Sequence, residues 1–579
     1  MTVLSPPSAA EVVTGPETVA PGRFDPTDLP TDLRLLRRLG ATRALHFGVM
    51  PWRHIGGCTV VLCAAPPSAE ARAALERAGL GQLRFAICTP EALRAALLPH
   101  VEPVLLMRAE ARVPFDQSCR GVGRRPLCLL AVTVMLSTAL AVAWAPGAAL
   151  ALLCALCALT LCVNTALKLA AAIATLGRAP AKPPPASPSA DMLPVVTLLV
   201  PLFREGPMVA ALLDRLARLD YPHDRLDLCL IVEADDTETR DALTRILLPS
   251  WAQVVVVPEG RLRTKPRALN YALFFTRGSI VGIYDAEDAP APDQLLRVVA
   301  RFAACGPRTG CLQGVLDYYN ARSNWIARCF TLEYASWFRV VLPGLDRLGL
   351  VVPLGGTTLF LRRHAIEAVG GWDAHNVTED ADLGVRLARR GFRTELIDSV
   401  TLEEANARVW PWIKQRSRWL KGYALSWGVA MHDPERLWRE LGAWRFIGVQ
   451  VLFLGTLAQF ALAPVLWSFW LVIFGMPHPM SPWLQPRSLT GLAMIFLLSE
   501  GVTYAVAALA ARRAGQPGLA LWAPWLQVYF PLATVAVWRA LWQVLRSPFH
   551  WEKTRHGIFA PAAALRSPPP PSPRPASTE

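Results

Sequence analysis

From Leu127 to Leu167 the chain carries no charged residue, and nothing else in it restricts the fold so strongly. At about 1.5 Å rise per residue this run makes roughly 60 Å of helix, twice the ~30 Å hydrocarbon core of a bilayer. It predicts two crossings with Pro146-Gly147 as the hinge. A second uncharged tract runs from Phe446 to Pro486, apolar as far as Gly475, and a third from Ser488 to Ala511 is broken only by Glu500. A fourth, Leu519 to Leu545, holds Pro524, Pro531 and Arg539 and reads as re-entrant or interfacial. Lipid contact accounts for a 53% hydrophobic composition and a mean hydropathy of +0.30. The first 120 residues mix polar and apolar positions, so no cleavable signal is expected.

Basic flanks orient these spans. Arg120, Arg124 and Arg125 precede the first, and Arg178 and Lys182 follow the second. Positive-inside logic makes this a hairpin with both ends cytoplasmic. Arg512-Arg513 and the Arg546, Lys553, Arg555 group fall on the same side, which requires an even number of later crossings. These flanks, facing anionic lipid, explain the net charge of +14. No basic helix with interleaved aromatics suggests nucleic acid. Among the twelve cysteines, Cys128, Cys154, Cys157 and Cys162 lie inside the uncharged tract and act there as small apolar residues. A disulfide or zinc framework is not expected.

The rest divides by composition. Residues 1–30, rich in Pro, Ser, Thr and Ala, are expected to be disordered. Residues 31–115 read as a small α/β domain, with strands at Cys58–Cys63 and Leu83–Cys88 and helices at Ala69–Ala78 and Glu91–Leu97. Membrane helices occupy 127–176, a proline-rich linker 177–194, a cytoplasmic block 195–434, a second membrane region 446–545, and a tail 546–579.

The block at 195–434 carries the chemistry. Val195–Val200, Leu226–Val232, Gln253–Val257 and Gly278–Tyr284 are apolar, strand-like segments alternating with helical periodicity. That order predicts a mainly parallel sheet with its ligands at the strand carboxyl ends. Two acidic clusters stand at such ends, Asp235-Asp236 and Asp285-Ala286-Glu287-Asp288. Downstream lie Gly370-Gly371-Trp372, Thr378-Glu379-Asp380 and the Gln415-Arg416-Ser417-Arg418-Trp419 run.

With Pro201–Glu205 and Lys265–Asn270, these elements arrive in the order found in membrane-embedded family 2 glycosyltransferases. The block resembles that group, which includes cellulose, chitin and hyaluronan synthases and has the GT-A fold. The resemblance implies a bacterial inner-membrane, multi-pass enzyme with a cytoplasmic catalytic domain. Such an enzyme polymerises a nucleotide sugar, a UDP-sugar by analogy, into a β-linked exopolysaccharide by inversion. It implies that Phe203, Glu205, Asp235, Asp236 and Lys265 bind the donor. It further implies that Asp285, Glu287 and Asp288 supply ligands for Mg²⁺ or Mn²⁺ and that Asp380 is the general base. Glu379, Gln415, Arg416, Arg418 and Trp419 then hold acceptor and diphosphate. The acceptor is a growing glycan or a lipid, and single transfer to a lipid and a non-catalytic receptor or assembly protein stand as the alternatives. One departure is that Asp-x-Asp at the metal motif is here Asp285-Ala286-Glu287, with Asp288 an additional carboxylate. Residues 31–115 resemble the latter half of the N-terminal domain of type II secretion ATPases. That resemblance implies a role in binding cyclic di-GMP or in docking a partner, although the nucleotide-binding repeats are not recognisable.

Overall fold

A computed structural model describes residues 31–176 and 192–551. The expected disorder of 1–30, most of the proline-rich linker and most of the tail lie outside the described residues.

The N-terminal unit holds a three-stranded sheet of β1 (Val49–Ile55), β2 (Cys58–Cys63) and β3 (Gln82–Ile87), in the order β1-β2-β3. β2 and β3 pair in parallel across the helix Ala69–Arg77, which Ser68 caps by accepting from the Ala71 amide. β1 was not anticipated. It pairs antiparallel with β2 through Gly56-Gly57, whose φ values are +58° and +81°. Two adjacent left-handed glycines are what a two-residue hairpin needs to match strand twist. The helix expected at 91–97 runs instead over Pro90–Ala111, with Pro99 and Pro103 inside it.

The second unit contains an eight-stranded sheet in the order β6-β5-β4-β7-β10-β9-β11-β8. Its strands are β4 (Val196–Leu202), β5 (Leu226–Glu233), β6 (Ala252–Val257), β7 (Ile280–Ile283), β8 (Ala289–Pro290), β9 (Thr309–Tyr318), β10 (Leu359–Arg362) and β11 (Arg393–Glu403). β6, β5, β4 and β7 pair in parallel. β10 is antiparallel to both β7 and β9, and β11 is parallel to β9. Only β10 and the two-residue β8 therefore run against the rest. The expected, mainly parallel α/β sheet is present, with one reversed strand in its middle. Every residue of β5 and β9 is buried, as strands covered on both faces must be. The core against β4 and β5 is aliphatic, built on Leu198, Val200, Leu228 and Leu230 with Leu212 and Val298 from flanking helices.

Among the described residues, four helices are long and apolar enough to cross a membrane: Arg125–Trp144, Pro146–Leu176, Pro434–Ala461 and Pro486–Arg513. The pair Pro517–Tyr529 and Pro531–Arg546, bent by 47°, makes up to five. The proline-bearing tract read as re-entrant or interfacial is this bent pair. Cys154 and Cys157 share C-x-x-C spacing and are both buried in the second span. Several contacts tie the sheet domain to the spans. Gly344, on the short helix Leu342–Arg347, packs so tightly on Ala171 that an added Cβ would lie 2.4 Å from the Ala171 Cα. Arg513 donates to the Arg339 carbonyl at 2.9 Å and to the Thr175 hydroxyl at 3.0 Å.

Candidate active site

The two acidic clusters stand at the carboxyl ends of β5 and β7, as their order in the sequence predicts, and Phe203–Glu205 leaves the end of β4 beside them. A turn leaves β4 through Phe203 and Arg204, and Arg204 sits at φ +54°. Asp236 fixes this turn. One carboxylate oxygen accepts from the Arg204 amide at 2.5 Å, and the other caps the helix Thr237–Thr244 through the Thr239 amide at 3.2 Å. Asp235 is paired with Arg263 at 2.6 Å. Glu233, at the end of β5, meets the fully buried Arg267 at 3.2 Å. Burial lifts its carboxyl to about 7, with Arg267 opposing.

Beyond β7 the chain makes a tight turn over Asp285–Asp288. Asp288 is fully buried and braces it, accepting from the Asp285 amide at 2.8 Å and from the Thr357 hydroxyl. Arg215 supports the same turn by donating to the Glu287 carbonyl at 2.8 Å. The Asp285 side chain faces out and receives the Lys265 ammonium at 2.5 Å, which also donates to the Gly356 carbonyl at 2.9 Å. Burial works against the Lys265 charge, but Asp285 and Glu379 more than offset it and hold its pKa above the ordinary lysine value. Burial and then Asp285 push Glu287 upward.

Glu379 and Asp380 open the helix Glu379–Arg389. One Asp380 oxygen accepts from the Ala381 amide at 2.8 Å. The other lies 3.2 Å from where a Cβ on Gly356 would sit, and the Lys265 ammonium lies 3.9 Å from that same point. The absent side chain at Gly356 thus keeps the acid and the ammonium open to one small space. Burial raises both Asp380 and Glu379; the Ala381 amide and Lys265 oppose it for Asp380, while the Asp380 charge adds to it for Glu379.

The opposite wall is the helix Val409–Ala430. Gln415 accepts from Asn406 at 2.8 Å. Arg416 is paired with Glu333 at 2.5 Å and boxed by the rings of Trp412 and Trp419, each 4.9 Å from its guanidinium carbon. Tyr529 also donates to Glu333, at 2.6 Å. Arg418 stacks on Trp551 at 5.5 Å; burial lowers its pKa, with Glu379 and Asp285 opposing. The helix reaches the acids through Gly422, where a Cβ would lie 1.8 Å from the Thr378 hydroxyl.

One cavity of about 510 Å³ joins these parts. Of the residues expected at the site, Phe203, Glu205, Lys265, Asp285, Glu287, Glu379, Asp380, Gln415, Arg416, Arg418 and Trp419 line it. Asp235, Asp236 and Asp288 do not: the first pairs with Arg263, and the other two hold turns. The cavity also exposes Glu233, Arg263 and Glu403, which sequence reasoning passed over, and continues between the membrane helices past Lys168, Gln459 and Glu500. Glu233 ends β5, two residues before the Asp235-Asp236 pair, whereas Glu403 ends β11, a strand the sequence did not predict.

Among the described residues, no three His, Cys, Asp or Glu side chains converge to hold a metal by themselves. Asp285 and Glu287 put two hard-oxygen donors on the cavity wall. That set fits Mg²⁺ or Mn²⁺ when a diphosphate and water complete the shell, as is usual for Mg²⁺.

Comparison with known proteins agrees with this geometry. Residues 194–422 match the family described as "Glycosyltransferase like family 2", and residues 21–102 match the MshEN domain. A β-monoglucosyldiacylglycerol synthase from Synechocystis sp. is 30% identical over 301 residues, covering 50% of this chain and 60% of the relative. The catalytic subunit of a UDP-forming cellulose synthase from Komagataeibacter xylinus is 28% identical, covering 43% of this chain and 33% of the relative. A mannosyltransferase from Pyrobaculum calidifontis, solved with GDP-Man and Mn²⁺, superposes with a TM-score of 0.44 at 19% identity, covering 66% of this chain and 98% of that one. The chain spans three-fifths or less of the length of the first curated relatives it matches. It carries, over residues 194–422, a family 2 glycosyltransferase domain with a GT-A fold, and ahead of it an MshEN domain.

Proposed function

We propose that this protein is an inverting, metal-dependent, processive glycosyltransferase that extends a β-linked glycan from a nucleotide sugar, a UDP-sugar by analogy, at a bacterial inner membrane. The observation that carries this reading is the single cavity. It begins among Lys265, Asp285 and Asp380, passes Trp419 and runs on between the membrane helices. A donor at one end and a product path at the other is what repeated transfer requires.

In this reading Phe203 and Glu205 hold the nucleoside side of the donor, with Asp235 and Asp236 fixing the loops around it. Lys265 leaves Asp285 for the diphosphate, and Arg418 adds a second positive group. Asp285 and Glu287 would hold the divalent cation, which when bound stabilises charge on the departing diphosphate. Asp380 takes the proton of the acceptor hydroxyl as its oxygen attacks the anomeric carbon. The bond from that carbon to the diphosphate breaks, and the nucleoside diphosphate leaves with the electron pair. Direct displacement inverts an α-linked donor to a β-linkage. Trp419 offers a ring face to the acceptor sugar, beside Gln415.

The test is nucleotide release from a panel of UDP-sugars with Mg²⁺ or Mn²⁺, using purified full-length protein and an Asp380→Asn control. Loss of a general base predicts a fall of about 10²–10⁴, and chelation is expected to stop release. Release that persists undiminished in Asp380→Asn sinks this assignment.

A second reading has its own support, since the similar Synechocystis protein is named for glycolipid synthesis. Here one sugar would pass to a lipid, and the size of the product separates the two readings. For the N-terminal domain (31–115) we propose a regulatory or docking role. Isothermal titration of the full chain with cyclic di-GMP tests the nucleotide version, and no heat would remove it.

A further inference from the structure

The chain leaves the N-terminal unit at Glu110, and the helix Pro90–Ala111 leads straight into residues 112–121. Before entering the membrane this segment is fastened to the loop at 370–374. Asp373 is 1% exposed and turns both carboxylate oxygens to it: one accepts from the Ser118 hydroxyl at 2.7 Å, the other from the Cys119 amide at 2.6 Å. Gly371 is squeezed between the segment and the helix Lys265–Ala272. A Cβ there would lie 3.0 Å from the Arg112 Cδ and 2.4 Å from the Asn270 Oδ1.

The same loop is bonded to the start and the middle of the donor-side helix. Asn270 donates to the Trp372 carbonyl at 2.7 Å and accepts from the Trp372 amide at 3.0 Å. The Thr264 hydroxyl donates to the Ala374 carbonyl at 2.7 Å, one residue before Lys265. Onward, the loop runs through Val377, which shares an apolar cluster with Cys119, into Thr378-Glu379-Asp380. Asp373 itself does not line the cavity, whereas Thr264, Lys265 and Val377 do. One loop thus joins the exit of the N-terminal unit to both the ammonium and the acids of the site. Chains of packed and hydrogen-bonded groups of this kind carry energetic coupling between separated sites.

We propose that residues 112–119 are a tether through which the N-terminal unit sets the grip of the site on its nucleotide, with Asp373 the positioning residue that latches the tether to the loop. This rests on the readings above of a regulatory N-terminal unit and a nucleotide site around Lys265. Such coupling is reciprocal: if the N-terminal unit alters nucleotide affinity, bound nucleotide alters the N-terminal unit to the same extent.

The experiment uses the full chain in lipid nanodiscs, with UDP and Mn²⁺ as the probe. Amide hydrogen exchange with and without UDP, and UDP affinity by titration, are measured for wild type, Asp373→Asn and Ser118→Ala. In wild type, UDP should slow exchange around Lys265, in 112–119 and on into the helix Pro90–Ala111. Both variants should lose the slowing in that helix and bind UDP about fivefold or more weakly, the lower end of ordinary coupling. A UDP effect that is present around Lys265 but absent from the helix Pro90–Ala111 in wild type overturns the tether and leaves the nucleotide site standing. So does wild-type slowing and affinity in both variants. Wild-type protein that binds no UDP overturns the nucleotide reading, and the tether with it.

Discussion

At the scale of single residues, the acids at the site divide into those that face the cavity and those that hold it open. Asp288 belongs to the second kind. Asp288→Ala would strip partners from the Asp285 amide and the Thr357 hydroxyl, at a cost of about 1–3 kcal/mol. Thermal melting should report the loss even without donor. Asp380 belongs to the first kind, and its pH behaviour follows from its surroundings. A base must be deprotonated to act, and burial raises this one, so its contribution is present above the raised pKa and lost as pH falls through it. The acid limb of the transfer rate should therefore lie above the ~3.9 of an ordinary aspartate. A pH–rate profile with its limb at or below that value would be inconsistent with Asp380 as the base. Asp288 was legible as an acid because it closes the cluster that follows an apolar strand, and Asp380 through the Thr378-Glu379-Asp380 element that carries the family resemblance. Lys168 was not, because in sequence it only closes an uncharged tract. Its place on the cavity wall depends on sharing a helix face with Leu161 and Asn164, seven and four residues earlier. Asp236 and Asp288 were legible as acids but not as braces, since an N-cap or turn contact depends on which oxygen meets which amide.

At the scale of elements, the helix Val409–Ala430 matters most, because it forms the wall facing the acids. Its approach depends on Gly422 lying against Thr378. Gly422→Ala would force a methyl into that contact, and overpacking of this kind typically costs 1–3 kcal/mol. The helix would be displaced from Asp380, and a misplacement of about 1 Å at such a distance lowers rate by roughly 10²-fold. Nucleotide release should fall far more than folded protein does, as judged by size-exclusion chromatography. The parallel strands β4, β5, β6 and β7 were readable as short apolar runs between helical periodicities. β10 was not, since its place between β7 and β9 comes from pairing with strands distant in sequence, which no local pattern encodes. β1 went unread for a different reason: Gly56-Gly57 is a hairpin signal, but the alternation before it is interrupted by Pro51.

At the scale of the whole molecule, donor chemistry and membrane path share one space, so changes in either should be felt in the other. The contact of Gly344 with Ala171 holds no side chain but the Ala171 methyl, and Arg513 bonds both Thr175 and Arg339. The span Pro146–Leu176 is long, at 31 residues, and a helix longer than the local bilayer adjusts by tilting. Such a tilt passes to the sheet domain with little slack. Bilayer thickness thus becomes a rate variable. In vesicles of phosphatidylcholines differing only in acyl length, transfer rate should pass through an optimum. Replacing Gly344 with a residue that forces the two helices apart should flatten that dependence, making the contact a gauge by which the enzyme senses the thickness of its own membrane.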